Sequence, residues 1–141
     1  MKKNTLYIIL ALSIITSYAF AGSVALSEVP STAVMFAEKY FPDSYLYRAT
    51  EMGGSYTLIF KGGLKIYVNG KGEWQSINGG GDEISIEYLD DKIKNAARNI
   101  VKTEFADKKI IAVQKKSKEY RFQLMNGKKF SVDFEGNVTK K

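Results

Sequence analysis

The side chains that most often carry chemistry at neutral pH are missing: the 141 residues include no histidine and no cysteine. The usual proton shuttle, the commonest metal ligand and the thiolate nucleophile are therefore all unavailable. Serine–lysine or carboxylate chemistry remains, but no Ser-x-x-Lys occurs. The acidic stretch of Asp82-Glu83, Glu87 and Asp90-Asp91 could supply paired carboxylates or oxygen ligands. A linker followed by the first turn of a helix, where carboxylates favour the helix dipole, accounts for it better. The alternating aspartates and central glycine of a calcium loop are not matched. No catalytic residue, metal or cofactor is expected.

Three other patterns could act on a ligand or take a modification. Gly70-Lys71-Gly72 leads into a strand and not into a helix N-terminus, so it reads as a turn and not as a phosphate cradle. Lys108, Lys109, Lys115, Lys116 and Lys118, with Tyr120 nearby, could face a polyanion. A hairpin edge charged against edge-to-edge pairing explains them as well, and nucleic acid is not an expected partner. Asn137-Val138-Thr139 is a glycosylation acceptor sequon, and Glu135 gives it an acidic extension.

The elements that would position these residues begin with a leader. Lys2 and Lys3 precede an apolar run from Leu6 to Ala21 that ends in Ala19-Phe20-Ala21, the pattern of a signal peptide cleaved after Ala21. The run is just short of a spanning helix. Residues 22–141 are then the expected mature protein, periplasmic or secreted, with no membrane contact after cleavage. Without Lys2 and Lys3, 19 basic residues stand against 15 acidic ones, a mild +4. That excess suits an acidic partner or plain solubility.

Sliding the chain on itself by 64 residues, without a gap, places Ala33 on Ala97, Phe41 on Phe105, Tyr56 on Tyr120, Gly63 on Gly127 and Gly72 on Gly136. Two copies of one unit are expected, at about 30–76 and 94–140, with a glycine-rich linker over 78–83. Each opens with a helix. Ala33, Phe36, Ala37, Tyr40 and Phe41 share one helical face before Pro42, and a second apolar stripe runs from Tyr88 to Phe105. The period then drops from 3.6 to 2, with Tyr56, Leu58 and Phe60 alternating with Ser55, Thr57 and Ile59. Gly- and Asn-Gly-rich turns separate strands expected near 45–51, 55–61, 64–69, 73–77, 109–115, 119–125, 128–134 and 137–140. The fold class is α+β: two tandem repeats, each a helix packed on an antiparallel sheet.

The order Tyr40-Phe41-Pro42-Asp43, Tyr56-x-Leu58, Gly63, Gly72-x-Trp74, repeated as Phe105-x-Asp107, Tyr120-x-Phe122, Asn126-Gly127 and Gly136-x-Val138, resembles the PepSY-like, β-lactamase-inhibitor-like family. The resemblance implies exported bacterial proteins of tandem helix-and-sheet units, some of which inhibit a hydrolase by laying an open sheet face over it. The second copy departs from the pattern in opening with Ile86-Glu87-Tyr88 and in having Val138 where the first has Trp74.

If Leu58, Ile66 and Val68 face the helix, alternation sends Ile59, Lys61, Lys65 and Tyr67 outward, joined by Arg121, Gln123, Met125 and Lys129. Trp74 could join them or cap the core. This face is the expected docking surface for a protein or peptide partner in the cell envelope, with Tyr67, Met125 and Arg121 as anchors. A solvated sheet face is the alternative reading of the residues. The function expected is a non-enzymatic binding or inhibitor-like module. A structural or chaperone-like envelope protein with broad, weak peptide binding is the alternative.

Overall fold

A computed structural model describes residues 22–141. The leader expectation, including cleavage after Ala21, lies outside the described residues. Nine strands form one antiparallel sheet in strict chain order: β1 (Gly22–Val24), β2 (Leu46–Met52), β3 (Ser55–Phe60), β4 (Lys65–Val68), β5 (Trp74–Asn78), β6 (Ile110–Lys115), β7 (Glu119–Leu124), β8 (Lys129–Asp133) and β9 (Val138–Lys140). Helix α1 (Ser31–Tyr40) lies between β1 and β2, and α2 (Asp91–Glu104) lies between β5 and β6. A short 3₁₀ turn, Leu26–Glu28, leads into α1.

Both helices lie on the same face of the sheet. Ala33 and Ala37 of α1 and Ile93 and Ala97 of α2 join one continuous apolar core with Leu58, Phe60, Ile66, Val68, Ile77, Val113, Phe122, Leu124, Phe130 and Val132. Alternation explains the strand half of that list: within β3, β4, β7 and β8 every second side chain is drawn inward. Small residues on the helices allow close approach to the sheet. Pro42 stops α1, whose last bond runs from the Phe41 N–H to the Ala37 carbonyl at 2.8 Å.

Three expectations need correction. The sheet is continuous, not one sheet per unit: Ser76 pairs with Gln114, Ile77 with Val113 and Asn78 with Ala112. The segment 78–83 is not a loose linker, since the Gly79 N–H bonds the Ile111 carbonyl at 2.8 Å and Ile84 is buried. Gly80 lies so close to Gly63 that a Cβ there would sit 2.7 Å from the Gly63 carbonyl oxygen. And α2 begins at Asp91, not at Tyr88: Ile84, Ile86 and Leu89 enter the core from a non-helical lead-in that ends in a turn, the Leu89 N–H bonding the Ile86 carbonyl at 3.1 Å, so their apolar character belongs to packing and not to a helical stripe.

The lysine-rich β6–β7 hairpin is also not a sheet edge, because β6 pairs with β5 and β7 with β8. The edges are β1 and β9. Lys108 and Lys109 precede β6, and Lys116 and Lys118 sit around the β6–β7 turn. Lys115 points to the helix side, with its ammonium 5.8 Å from the Trp74 ring centroid.

Candidate functional site

The face of the sheet away from the helices is organised by register into two rows. One runs Ser23, Thr50, Thr57, Tyr67, Ser76, Gln114, Arg121, Ser131 and Thr139, a residue from each strand in turn. The other runs Arg48, Ile59, Lys65, Asn78, Ala112, Gln123 and Lys129. Lys141 extends the second row, its N–H bonding the Lys129 carbonyl at 3.2 Å. Neighbouring strands lie about 4.8 Å apart, so both rows are closely spaced ladders, polar but for Tyr67 in the first and Ile59 and Ala112 in the second.

Of the residues expected on this face, Ile59, Lys65, Tyr67, Arg121, Gln123 and Lys129 are brought together there. Tyr67 is 39% exposed. Lys61 and Met125 lie one residue beyond the ends of β3 and β7, in turns. Lys61 stands over the Tyr45 ring, 5.1 Å from its centroid, and Met125 is exposed. Trp74 does not share the face. It is half-buried on the helix side, stacked on Tyr120 with centroids 5.9 Å apart and edge-on to Tyr88 at 5.0 Å. A bulge explains this: Tyr67 pairs with Ser76 but Val68 pairs with Trp74, so one extra residue reverses the parity of β5.

Between β5 and β9 the face hollows into a groove of about 440 Å³, lined among others by Ser76, Asn78, Gln114, Arg121, Gln123, Lys129, Ser131 and Lys141. Glu119 sits beside it. Arg121 Nε donates to Glu119 Oε1 at 3.2 Å, and Lys141 Nζ lies 3.8 Å from the same oxygen. Ser131, on the groove side of β8, is only 1% exposed, and its hydroxyl has no partner at full hydrogen-bonding geometry. Partial burial pushes the Glu119 carboxyl upward, but the approach of the Ser131 hydroxyl, the Arg121 bond and the charge of Lys141 outweigh it and hold the group below its ordinary range. Sequence reasoning missed Glu119, Ser76, Gln114 and Lys141 as members of this face. For Glu119 the signal was available: two residues from Arg121 on one strand, it must point the same way.

Asn137 opens β9 from an exposed turn. Its N–H and its side-chain amide both donate to Asp133, at 2.8 and 3.0 Å, so the nitrogen a glycan would occupy is already engaged. The acidic stretch splits: Glu87 accepts from Lys94 at 3.1 Å and from Arg98, and Asp91 pairs with Lys94 at 3.2 Å. Among the described residues no group of three or more acidic, histidine or cysteine side chains is placed to hold a metal ion. Nor is any helix there long and apolar enough to cross a membrane.

The family described as "Putative beta-lactamase-inhibitor-like, PepSY-like" matches residues 54–140. The chain belongs to this family. Its fold is similar to that of a "putative calcium-regulated periplasmic protein" from Bacteroides thetaiotaomicron, at 21% identity and a TM-score of 0.73 over 85% of this chain and 94% of that one. A second "putative periplasmic protein", from Bacteroides vulgatus, matches at 25% identity and a TM-score of 0.70 over 85% and 94%. A third, also from Bacteroides vulgatus and of unknown function, matches at 19% identity and 0.69 over 84% and 100%. The comparison with curated proteins finds no match.

Proposed function

We propose that this protein is an exported, non-enzymatic binding module that docks a protein or peptide partner on the uncovered face of its sheet. The observation that carries the reading is the one-sided architecture. Both helices and the whole apolar core lie on one face, while the other presents nine register-aligned strands bearing Tyr67, Arg121 and Lys129 to solvent. A broad sheet pinned from behind is rigid, so a partner gains contact area without an ordering cost in the module. Membership of a β-lactamase-inhibitor-like family supports an inhibitor-like use of that face, and the periplasmic neighbours support export. The face carries cations, amides, hydroxyls and the carboxylates of Glu119 and Asp133, and the hydroxyl nearest Glu119, that of Ser131, is only 1% exposed and so closed to a substrate, which supports binding over catalysis.

The same reading takes the protein as two tandem units. Support comes from element positions: β3 spans 55–60 and β7 spans 119–124, and Gly72 and Gly136 both hold positive φ. The chaperone-like alternative is less favoured because the apolar groups on the strands of this face, Met52, Ile59, Tyr67 and Ala112, are scattered among polar ones, too few for broad capture of unfolded chains. The test is to capture partners from native envelope with this protein as bait, then compare Tyr67→Ala and Arg121→Ala with the parent. Each substitution should leave thermal unfolding unchanged and cost at least about 1 kcal/mol of binding. Full affinity in the double variant would move the site off this face.

A further inference from the structure

The charges of the uncovered face are unbalanced, and the imbalance has a direction. Arg48, Lys65, Arg121, Lys129 and Lys141 stand on it against Glu119 and Asp133, and Asp133 is turned into its own hairpin by Asn137. Lys65 and Lys129 occupy the same row four strands apart, with only Asn78, Ala112 and Gln123 between them. Four strand spacings come to about 19 Å, the reach of roughly six residues of extended chain. Beside the groove a carboxylate of the protein itself already engages two of the cations: Glu119 holds Arg121 at 3.2 Å and Lys141 at 3.8 Å. Glu119 thus occupies the place that an incoming carboxylate would take.

We propose that the groove between β5 and β9 binds an extended acidic peptide segment laid across the strands, whose carboxylates reach Lys65 and Lys129 and displace Glu119 from Arg121 and Lys141. The amides of Asn78 and Gln123 lie between the charged ends, with Gln114 in the adjacent row of the groove, and suit a peptide backbone, which needs both donors and acceptors. Exposed ion pairs are weak, so exchanging Glu119 for a ligand carboxylate is nearly balanced, and the gain comes from engaging Lys65 and Lys129, which make no ion pair within 4.0 Å among the described residues. The inference rests on the docking reading above and supplies the chemistry of the partner.

The probe is a fluorescein-labelled oligoglutamate peptide of about ten residues, with oligoglutamine of equal length as its control, followed by anisotropy against the full protein at low and physiological salt. Oligoglutamate should bind, weaken as salt rises, and lose at least tenfold in affinity in the Arg121→Gln, Lys129→Gln double variant. Lys102→Gln, on the last turn of α2, should leave binding unchanged. The decisive variant is Glu119→Gln, which frees two cations and should tighten binding about threefold or more. A purely structural role for Glu119 could not do that. Weaker binding in Glu119→Gln, equal binding of oligoglutamine, or binding of polygalacturonate but not of oligoglutamate would each overturn the proposal. If oligoglutamate fails while an envelope partner still depends on Tyr67, the acidic chemistry falls and the docking face stands; if neither depends on this face, both fall.

Discussion

Tyr88 carries its hydroxyl into a ring of aromatics, with Phe36, Tyr40, Phe41 and Trp74 all within 6.1 Å centroid to centroid, and the oxygen finds no hydrogen-bond partner there. Burial pushes its ionisation well above the ordinary tyrosine range. An unpaired buried hydroxyl costs about 1–3 kcal/mol, so Tyr88→Phe should keep every ring contact and leave the melting temperature unchanged or higher. A clear fall in the melting temperature would show that the hydroxyl is bonded in solution. Asp133 is the opposite case. The backbone N–H of Asn137, then its side-chain amide, with further N–H groups at Glu135 and Gly136, hold its carboxyl below the usual carboxylate range. A depressed folded value stabilises the fold above the unfolded pKa of about 3.9 and loses that effect as the pH falls through the folded value. Asp133→Ala should therefore melt earlier than the parent at neutral pH, and the gap should narrow as thermal scans move toward pH 3. At this scale the sequence is legible wherever a local period holds. Leu58, Phe60, Ile66 and Val68 point inward, and Tyr67 and Arg121 outward, as alternation requires. Trp74 escapes because the bulge that sets its direction depends on pairing with Val68, and no local pattern records it.

Gly72 and Gly136 close the last hairpin of each half and test what an element needs from a turn. Both have positive φ, +83° and +93°, so any other residue strains the backbone by about 1–2 kcal/mol. The surroundings differ. A Cβ on Gly72 would lie 2.9 Å from the Pro30 side chain and 3.0 Å from the Ala33 backbone nitrogen, at the rigid start of α1. On Gly136 it would meet the Lys92 stem at 2.9 Å, which can swing away. Gly72→Ala should thus lower the urea midpoint clearly more than Gly136→Ala, with both below the parent; equal midpoints would mean that φ alone matters and the approach of α1 does not. The helix, strand and turn chemistry that places these elements was legible because each signal is local. β1 was not, since three residues, Gly22-Ser23-Val24, cannot display a period, and what holds them is pairing to Ala49, Thr50 and Glu51. The glycines at 79–81 were misread for a related reason. Glycine serves conformational freedom and close approach alike, and only the contact of Gly80 with Gly63 tells which.

For the whole molecule the question is whether the halves are independent. The sheet says they are not: β5 and β6 share a ladder, and Ile77 and Val113, both essentially inaccessible, face each other across the joint. Above that joint Trp74 from the first half stacks on Tyr120 from the second and meets Tyr88 edge-on, so the aromatic cluster belongs to neither half alone. This coupling was the least legible feature, because it comes from packing between segments far apart in the chain and the offset that aligns the halves says nothing of how they meet. Its consequence can be measured. Cutting between Asn78 and Asp82 would leave each fragment with one helix on a few strands, an unpaired edge where the sheet was continuous, and Ile77 or Val113 turned to water. Small domains bury too little apolar surface to lose such a joint and still offset chain entropy. Residues 22–78 and 82–141, expressed separately, should each show no cooperative unfolding by circular dichroism, and mixing them at equal concentration should restore a cooperative transition as β5 finds β6. Cooperative unfolding of either fragment by itself would show that the nine-stranded sheet is two independent sheets placed side by side, and the groove that spans them would then depend on how two separate bodies happen to dock.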